Sequence, residues 1–296
     1  INYILRDNYI MAIKLGTSDI SKVYLGSTEV SKIYLGATEI YSGGFGTYVD
    51  AMITRANALS YTLPSNATLT DLQTRLATIG DTALNKLDVL HIYSPDAGTM
   101  DFFTLNVVAP TTIQATLVNS PTSSKLGVLT NGSNNYIDTG ANPNSLSNYS
   151  LNDAQISVFL SQDVVDNGGF NNVSFILDSA TRLGFRINTG SNHYSHINND
   201  GNVINSNGAT LAAGFKTLQR TTSTTFESYQ NGVLNASMTG NSTTIPNINM
   251  FLGGRNNNGT FDGAQANRFV AFCMGSSITT TEMATINTQI AAFYGR

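Results

Sequence analysis

The sequence predicts a mainly β fold whose C-terminal part is a β-sandwich, and two observations carry that expectation. The first is Tyr229-Gln230-Asn231-Gly232-Val233-Leu234. It sets an Asn-Gly pair between two strand-like runs, as a type I′ hairpin turn requires, because both turn residues must tolerate positive φ. The second is a series of short runs, Gln155 to Ser161, Val173 to Asp178, Arg182 to Asn188, Lys216 to Thr221, Asn249 to Leu252 and Arg268 to Met274. Gly, Asn, Ser and Thr separate them, a pattern of stacked sheets rather than of alternating strand and helix units.

Composition narrows the function. Charged residues make up 11% of the 296, against about 25% in an average soluble domain. Asn, Ser, Thr and Gly supply the missing polarity, so the surface is expected to be neutral and rich in hydrogen-bonding groups. A net charge of −4 without a basic run gives no footprint for DNA or RNA, which needs clustered Lys and Arg. Cys273 lies in the apolar run Phe269 to Met274 and is expected to be a small buried hydrophobe. As the single cysteine it admits no intrachain disulfide. No apolar run approaches the roughly 20 residues that span a bilayer, and no signal peptide pattern opens the sequence. Met11-Ala12-Ile13-Lys14 reads as a natural start, with residues 1–10 either an upstream extension or a product of processing.

Along the chain, residues 15–41 repeat with period ten. Leu15-Gly-Thr-Ser-Asp-Ile-Ser-Lys-Val-Tyr is followed by Leu25-Gly-Ser-Thr-Glu-Val-Ser-Lys-Ile-Tyr and then Leu35-Gly-Ala-Thr-Glu-Ile-Tyr. Each unit reads as a short β run with a Gly-led turn. Units this short cannot bury an apolar face alone and must stack on each other, on other subunits or on a partner. Val23, Tyr24, Leu25, Ile33, Tyr34 and Leu35 are therefore the assembly candidates. These repeated "YLGSTEVSKIYLG" units resemble the N-terminal segments of many bacteriophage structural proteins, particularly of tails and fibres.

After Gly43-Gly44, the i, i+3, i+4 spacing of Val49, Met52, Ile53, Ala56 and Leu59 predicts a helix over Thr47 to Ser60. A second helix is expected from about Thr68, with Leu69, Leu72, Leu76 and Ile79 on one side until Gly80 stops it. Asp81 to Leu87 reads as a third, short helix, and Val89 to Tyr93 as a buried strand. Together with "DFFTLNVVAP" and "GVLTNGSNNYIDTGANPN", this lead-in resembles phage virion proteins in which a small helical segment precedes a concanavalin A-like, or laminin-G-like, sandwich. Thr279 to Glu282 has capping-box spacing, and Met283, Ile286, Ile290 and Phe293 follow on one side. The sequence thus predicts a β-repeat segment at 1–44, a small α+β lead-in at 45–110 and a concanavalin A-like jelly roll at 111–296. A C-terminal helix is expected to cover one opening of the sandwich.

Chemistry is sparse. Sandwich-type glycosidases need two carboxylates flanking the sugar bond, whereas Glu occurs only at 29, 39, 227 and 282. No catalytic residue is expected, and Glu227 would be the position to test. His193 and His196 in "NHYSHIN" would point to opposite faces of a strand, so shared metal coordination would require a loop. No metal or cofactor is expected, and His91 reads as a core histidine. The seven Asn-x-Ser/Thr sequons read as chance in so Asn- and Thr-rich a chain. Two polar clusters suit sugar hydroxyls and ring faces: Tyr194, Asn198, Asn199 and Asp200 in one turn region, and Arg255, Asn256, Asn257 and Asn258 in another. Turn chemistry alone also accounts for many of these Asn residues.

The resemblance implies a non-enzymatic virion protein of the fibre, spike or appendage kind, with a lectin-like domain for host attachment. Its partners would be other virion proteins, further copies of itself in a homotrimer, and a host surface glycan. The alternative is a cell-surface or secreted carbohydrate-binding module.

Overall fold

A computed structural model describes residues 2–295 apart from 7–8, 16–17, 20–23, 26–27, 30–31, 36–37, 43, 166–170, 189–191, 202–203 and 208–209. The chain divides into two compact units, Ile1–Asp50 and Ala51–Arg296.

In the first unit, β1 (Asn2–Arg6), β2 (Tyr9–Leu15) and β3 (Ser18–Asp19) form an antiparallel sheet. Then β4 (Tyr24–Leu25) pairs with β5 (Thr28–Glu29), and β6 (Lys32–Leu35) with β7 (Thr38–Ser42). The period of ten is visible in the register. Leu15 pairs with Ser18, Leu25 with Thr28 and Leu35 with Thr38, because each unit repeats Leu-Gly-x-Ser/Thr at the same place.

Three helices follow. The carboxylate of Asp50 accepts from the backbone N–H of Phe45 (2.9 Å) and Gly46 (3.1 Å) at the start of α1 (Thr47–Ala58). Ser65 caps α2 (Asn66–Ile79) by accepting from the N–H of Thr68 at 3.2 Å, while Leu69, Leu72, Leu76 and Ile79 form its buried side. Gly80, at φ 82°, ends it where a side chain would be strained. The third helix, α3 (Asp81–Leu84), is a single turn.

The sandwich is built from β8 (Leu87–Ile92), β9 (Thr116–Val118), β10 (Thr122–Ser124), β11 (Gly127–Leu129), β12 (Tyr136–Asp138) and β13 (Ala154–Leu160). After the short β14 (Val164–Val165) come β15 (Asn171–Asp178), β16 (Thr181–Asn188), β17 (Asn192–Asn199) and β18 (Ile204–Asn207). Next are β19 (Thr210–Leu211), which pairs with β14, and then β20 (Gly214–Arg220), β21 (Thr225–Gln230) and β22 (Val233–Thr239). The last strands are β23 (Phe251–Leu252), β24 (Arg255–Asn257), β25 (Thr260–Asp262) and β26 (Arg268–Gly275), before α4 (Thr280–Tyr294).

Two sheets face each other. The eight-stranded sheet runs β10-β11-β26-β13-β20-β21-β22, with β8 also paired to β26. The nine-stranded sheet runs β18-β17-β16-β15-β23-β12-β9, with β24 parallel to β15 and β25 paired to β24. Between them lie Val89, Val128, Ile156, Val158, Leu218, Phe269 and Phe272 from the first, and Ile137, Val173, Ile176, Leu183, Phe185, Ile197 and Leu252 from the second. The β21–β22 turn has Asn231 at φ 54° and Gly232 at φ 81°, as the Asn-Gly pair predicts. Gly232 also lies so close to α4 that a Cβ there would stand 3.0 Å from Ala284.

Helices cover the outer face of the eight-stranded sheet. Phe159 and Ala271 pair in register, and outward-facing Phe159 meets Tyr294 edge-on at 5.4 Å. Phe293 packs on Phe103 at 6.2 Å, Arg75 of α2 donates to Gln289 at 3.4 Å, and Lys86 donates to Glu282 at 2.8 Å. With both of its faces covered, β26 is apolar at consecutive positions, as a strand buried on two sides must be. The thiol of Cys273 is buried there, and desolvation pushes it up to about 11.

Two expectations change. Leu87–Ile92, assigned by sequence to the lead-in, is a strand of the eight-stranded sheet, and its Val89 belongs to the sandwich core. The helix α4 lies on a sheet face rather than across an opening, because Phe159 and its outward neighbours need cover along the strands.

Candidate functional site

The outer face of the nine-stranded sheet carries what the interior excludes. Side chains alternate across a strand, so if Ile137, Ile176, Leu183 and Ile197 point inward, then Tyr136, Phe175, Arg182, Arg186, Tyr194 and His196 point outward. Tyr136, Asp138, Arg182, Tyr194, Arg255 and Asp262 are partly exposed there.

Gly184 organises the centre of this face. It pairs with Phe175 on one side and His196 on the other. It sits at φ +125°, and a Cβ would come within 1.9 Å of the carbonyl oxygen of Ser174. Without a side chain between them, the rings of Phe175 and His196 meet edge-on at 5.2 Å. Arg186 then lies over Phe175 at 5.5 Å and over Tyr194 at 4.9 Å, and Tyr194 stands parallel to His196 at 6.4 Å. Burial is the main cause that pushes the His196 imidazole down to about 3, with Arg186 and Arg182 adding to it. The ring is therefore neutral at ordinary pH.

Beside this cluster, Asp262 holds Arg255 through two hydrogen bonds, to Nε and Nη2, each of 2.6 Å, and accepts a third from Asn257 at 3.0 Å. The bond from Arg255 holds the Asp262 carboxyl below the usual range. Further along, Tyr136 stacks on Phe261 at 4.2 Å and lies 4.5 Å from Phe251. Asp138 accepts from the side chain of Asn249 at 3.1 Å. Flat π surfaces, planar guanidinium groups and fixed amides together make a surface suited to binding polar ring ligands.

The structure divides the residues singled out by sequence. Residues 192–199 are the strand β17, not a turn; their Asn and Ser content hid a strand that lies paired between β16 and β18. Tyr194 is on the outer face, and Asp200 is exposed just beyond the strand. Asn198 is buried, accepting from the hydroxyl of Tyr149 at 2.7 Å and donating to the carbonyls of Ser150 and Leu151, and Asn199 is buried as well. Neither can meet a ligand. Arg255–Asn257 is likewise a strand. Asn256 points inward and is spent on the carbonyl of Asn249 and the N–H of Gly259. Asn257 supports Asp262, and exposed Asn258, at φ 50°, accepts from the N–H of Ser179 at 2.6 Å. Of the assembly candidates, Tyr24 and Leu25 lie in β4 and Ile33, Tyr34 and Leu35 in β6. Val23 lies outside the described residues.

The histidines follow their strands. His193 and His196 are three apart on β17 and so face opposite ways. His91 is a core histidine: its Nδ1 is 3.3 Å from the carbonyl oxygen of Leu105 and its Nε2 3.1 Å from that of Thr139. Sequence reasoning passed over Phe175, Arg182, Arg186, Tyr136 and Phe261. One signal was available: Arg182 and Arg186 are four apart in a β run, hence on one face, in a chain with 15 cations in all.

No family model matches the chain, and no curated protein matches it. Solved structures do. A Trypanosoma rangeli sialidase aligns at 11% identity with a TM-score of 0.50, over 76% of this chain and 40% of that one. The receptor binding domain of botulinum neurotoxin D aligns at 8% identity with a TM-score of 0.45, over 70% of this chain and 53% of that one. The chain thus spans two-fifths of the sialidase that it matches. At such identity the likeness is one of fold alone, a β-sandwich.

Proposed function

We propose that the chain is a non-enzymatic structural component of a bacteriophage particle, of the fibre, spike or appendage kind, whose sandwich contacts a glycan of the host surface. The observation that carries the binding half is the asymmetry of the sandwich. Helices take the outer face of one sheet, and the outer face of the other carries Tyr194, Arg182 and Arg255, partly exposed, with Arg186 buried beside Tyr194. The particle half rests on the period-ten repeat, whose short hairpins suit docking on other virion chains in a homotrimer. Mass spectra of purified particles test it, and absence of the chain from them removes the reading. Glycan binding by the full chain, lost in Tyr194→Ala, tests the face.

A cell-surface or secreted carbohydrate-binding module uses the same face and gives the repeat no role. It predicts a monomer. Light scattering on residues 1–296 against 45–296 separates the two, since only the particle reading expects the shorter chain to lose its oligomeric state.

A further inference from the structure

We infer that the interior of the sandwich, at the end where β17 and β20 begin, binds a small monovalent anion of the chloride or formate class against the ammonium of Lys216.

Register places the lysine inside. On β20, Lys216 is two residues from Leu218 and pairs with Val158, both of the core, so its side chain points between the sheets. On β17, His193 and Ser195 share the inward face with core Ile197. The Nε of Arg220 reaches the carbonyl oxygen of Ile197 at 2.9 Å and fixes where the two strands meet. Both strands start from one end of the sandwich. There β13 finishes and the chain passes on to β15; β20 is antiparallel to β13, and β16 and β17 reverse direction twice after β15. Four residues back from the Arg220–Ile197 contact is about 13 Å along each strand, which sets Lys216 opposite His193 across sheets about 10 Å apart. All three side chains are buried, Lys216 with 5% exposure.

The Lys216 ammonium has no hydrogen bond and no ion pair among the described residues. Its neighbours are committed elsewhere. Gln230, its partner on β21, donates to the carbonyl oxygen of Ala213 at 3.0 Å, and the exposed carboxylate of Asp163 accepts from the N–H of Ala213 at 2.6 Å. Desolvation lowers the amine to about 8, against the opposing pull of Asp163. Near pH 7 the charged form therefore still outnumbers the neutral one by about ten to one.

An unpaired ion inside a protein is costly, and an apolar side chain of similar length would serve packing better. Asp163 offsets part of that cost from the surface, where water and salt screen it. A counter-ion held at the amine offsets the rest. One ammonium balances one negative charge, whereas sulfate or phosphate would carry a further charge inside with no cation to meet it. So buried an amine admits a small ion and excludes a saccharide.

The test is thermal unfolding of the full chain and of Lys216→Met while chloride or formate replaces sulfate at constant ionic strength and pH 7. General salt effects on burial act on both proteins alike, so the reading is the difference between their melting temperatures. We expect that difference to move in favour of the parent by about 3 °C once the small anion reaches ten times its dissociation constant. The chloride NMR line should broaden with the parent, sharpen again when formate is added, and stay narrow with the variant. Should Lys216→Met not fold, Lys216→Gln takes its place in both measurements. A difference in melting temperature that is the same in all three salts, or chloride broadening equal in parent and variant, overturns the inference.

Discussion

Arg220 is the largest fully buried side chain of the chain's interior among the described residues, and it has carbonyl oxygens where an acid would be expected. Its Nε donates to Ile197 of the opposite sheet at 2.9 Å, Nη1 to Thr222 at 3.1 Å and Nη2 to Gly240 at 2.8 Å, while its guanidinium faces Phe226 at 5.1 Å. One residue thus ties β20 to β17 and to the chain beyond β22. Arg220→Met keeps the apolar stem and strips those carbonyls of their donor, which costs about 1–3 kcal/mol for each group left unsatisfied. A fall in unfolding free energy of about 3 kcal/mol or more is expected in urea titration, and a variant as stable as the parent would show that water replaces the guanidinium. His91 gives a second outcome. Burial lowers its imidazole to about 4, against the partial opposition of the Thr139 and Leu105 carbonyls. The unfolded chain takes up this proton near pH 6.5 and the folded chain refuses it until about pH 4. The stabilisation is therefore complete above pH 6.5 and is lost as pH falls toward 4, by up to about 3 kcal/mol at 1.36 kcal/mol per pKa unit. Stability measured across this window should decline less steeply in His91→Gln; an identical slope would assign the decline to other groups.

At the scale of elements, the helix α4 is the clearest case of local sequence and tertiary need agreeing. Thr279 accepts from the N–H of Glu282 at 3.2 Å, and the Glu282 carboxylate accepts in return from the N–H of Thr279 at 2.6 Å, the reciprocal pair that the Thr-x-x-Glu spacing announces. Its Met283, Ile286, Ile290 and Phe293 are buried. Phe293→Ala should cost about 3–5 kcal/mol, read as a lowered melting temperature; deletion of Thr279 to Arg296 without such a loss would make the helix an accessory. Where periodicity and turn chemistry coincide, sequence was enough: α2, the Asn231-Gly232 hairpin and the apolar β26 all lie where their residues put them. It failed at β17 and β24. The inward positions of β17 include His193 and Ser195, so no alternation of apolar and polar residues marks the strand. β24 is three residues long and full of Asn. The candidate face was less legible still, since it draws on β12, β15, β16, β17 and β24, and only the pairing of distant strands puts Arg255 beside Phe175.

For the whole molecule, the division into Ile1–Asp50 and Ala51–Arg296 separates two jobs that the proposed function assigns to different stretches of chain. A single weak glycan site gains little by itself, whereas several copies held together raise the effective concentration of each for the next. Oligomerisation is therefore the property that would turn the open sheet face into an attachment device. The repeat is the part suited to supply it. Its hairpins, closed at Leu15–Ser18, Leu25–Thr28 and Leu35–Thr38, are two-stranded or three-stranded pieces, too small to be stable in water without a further surface to cover them. Replacing Ile33 and Leu35 of β6 by Asp places carboxylates in such a surface, where unpaired charge is costly. The core residues named above for the two facing sheets all follow Asp50 in the chain, and the sandwich should keep its melting temperature. Light scattering should show the loss of a trimer, and particles assembled with the variant should lack the chain. A variant that remains trimeric, or that enters particles at the parental level, would refute the docking role of the repeat and leave the carbohydrate-binding module as the better account.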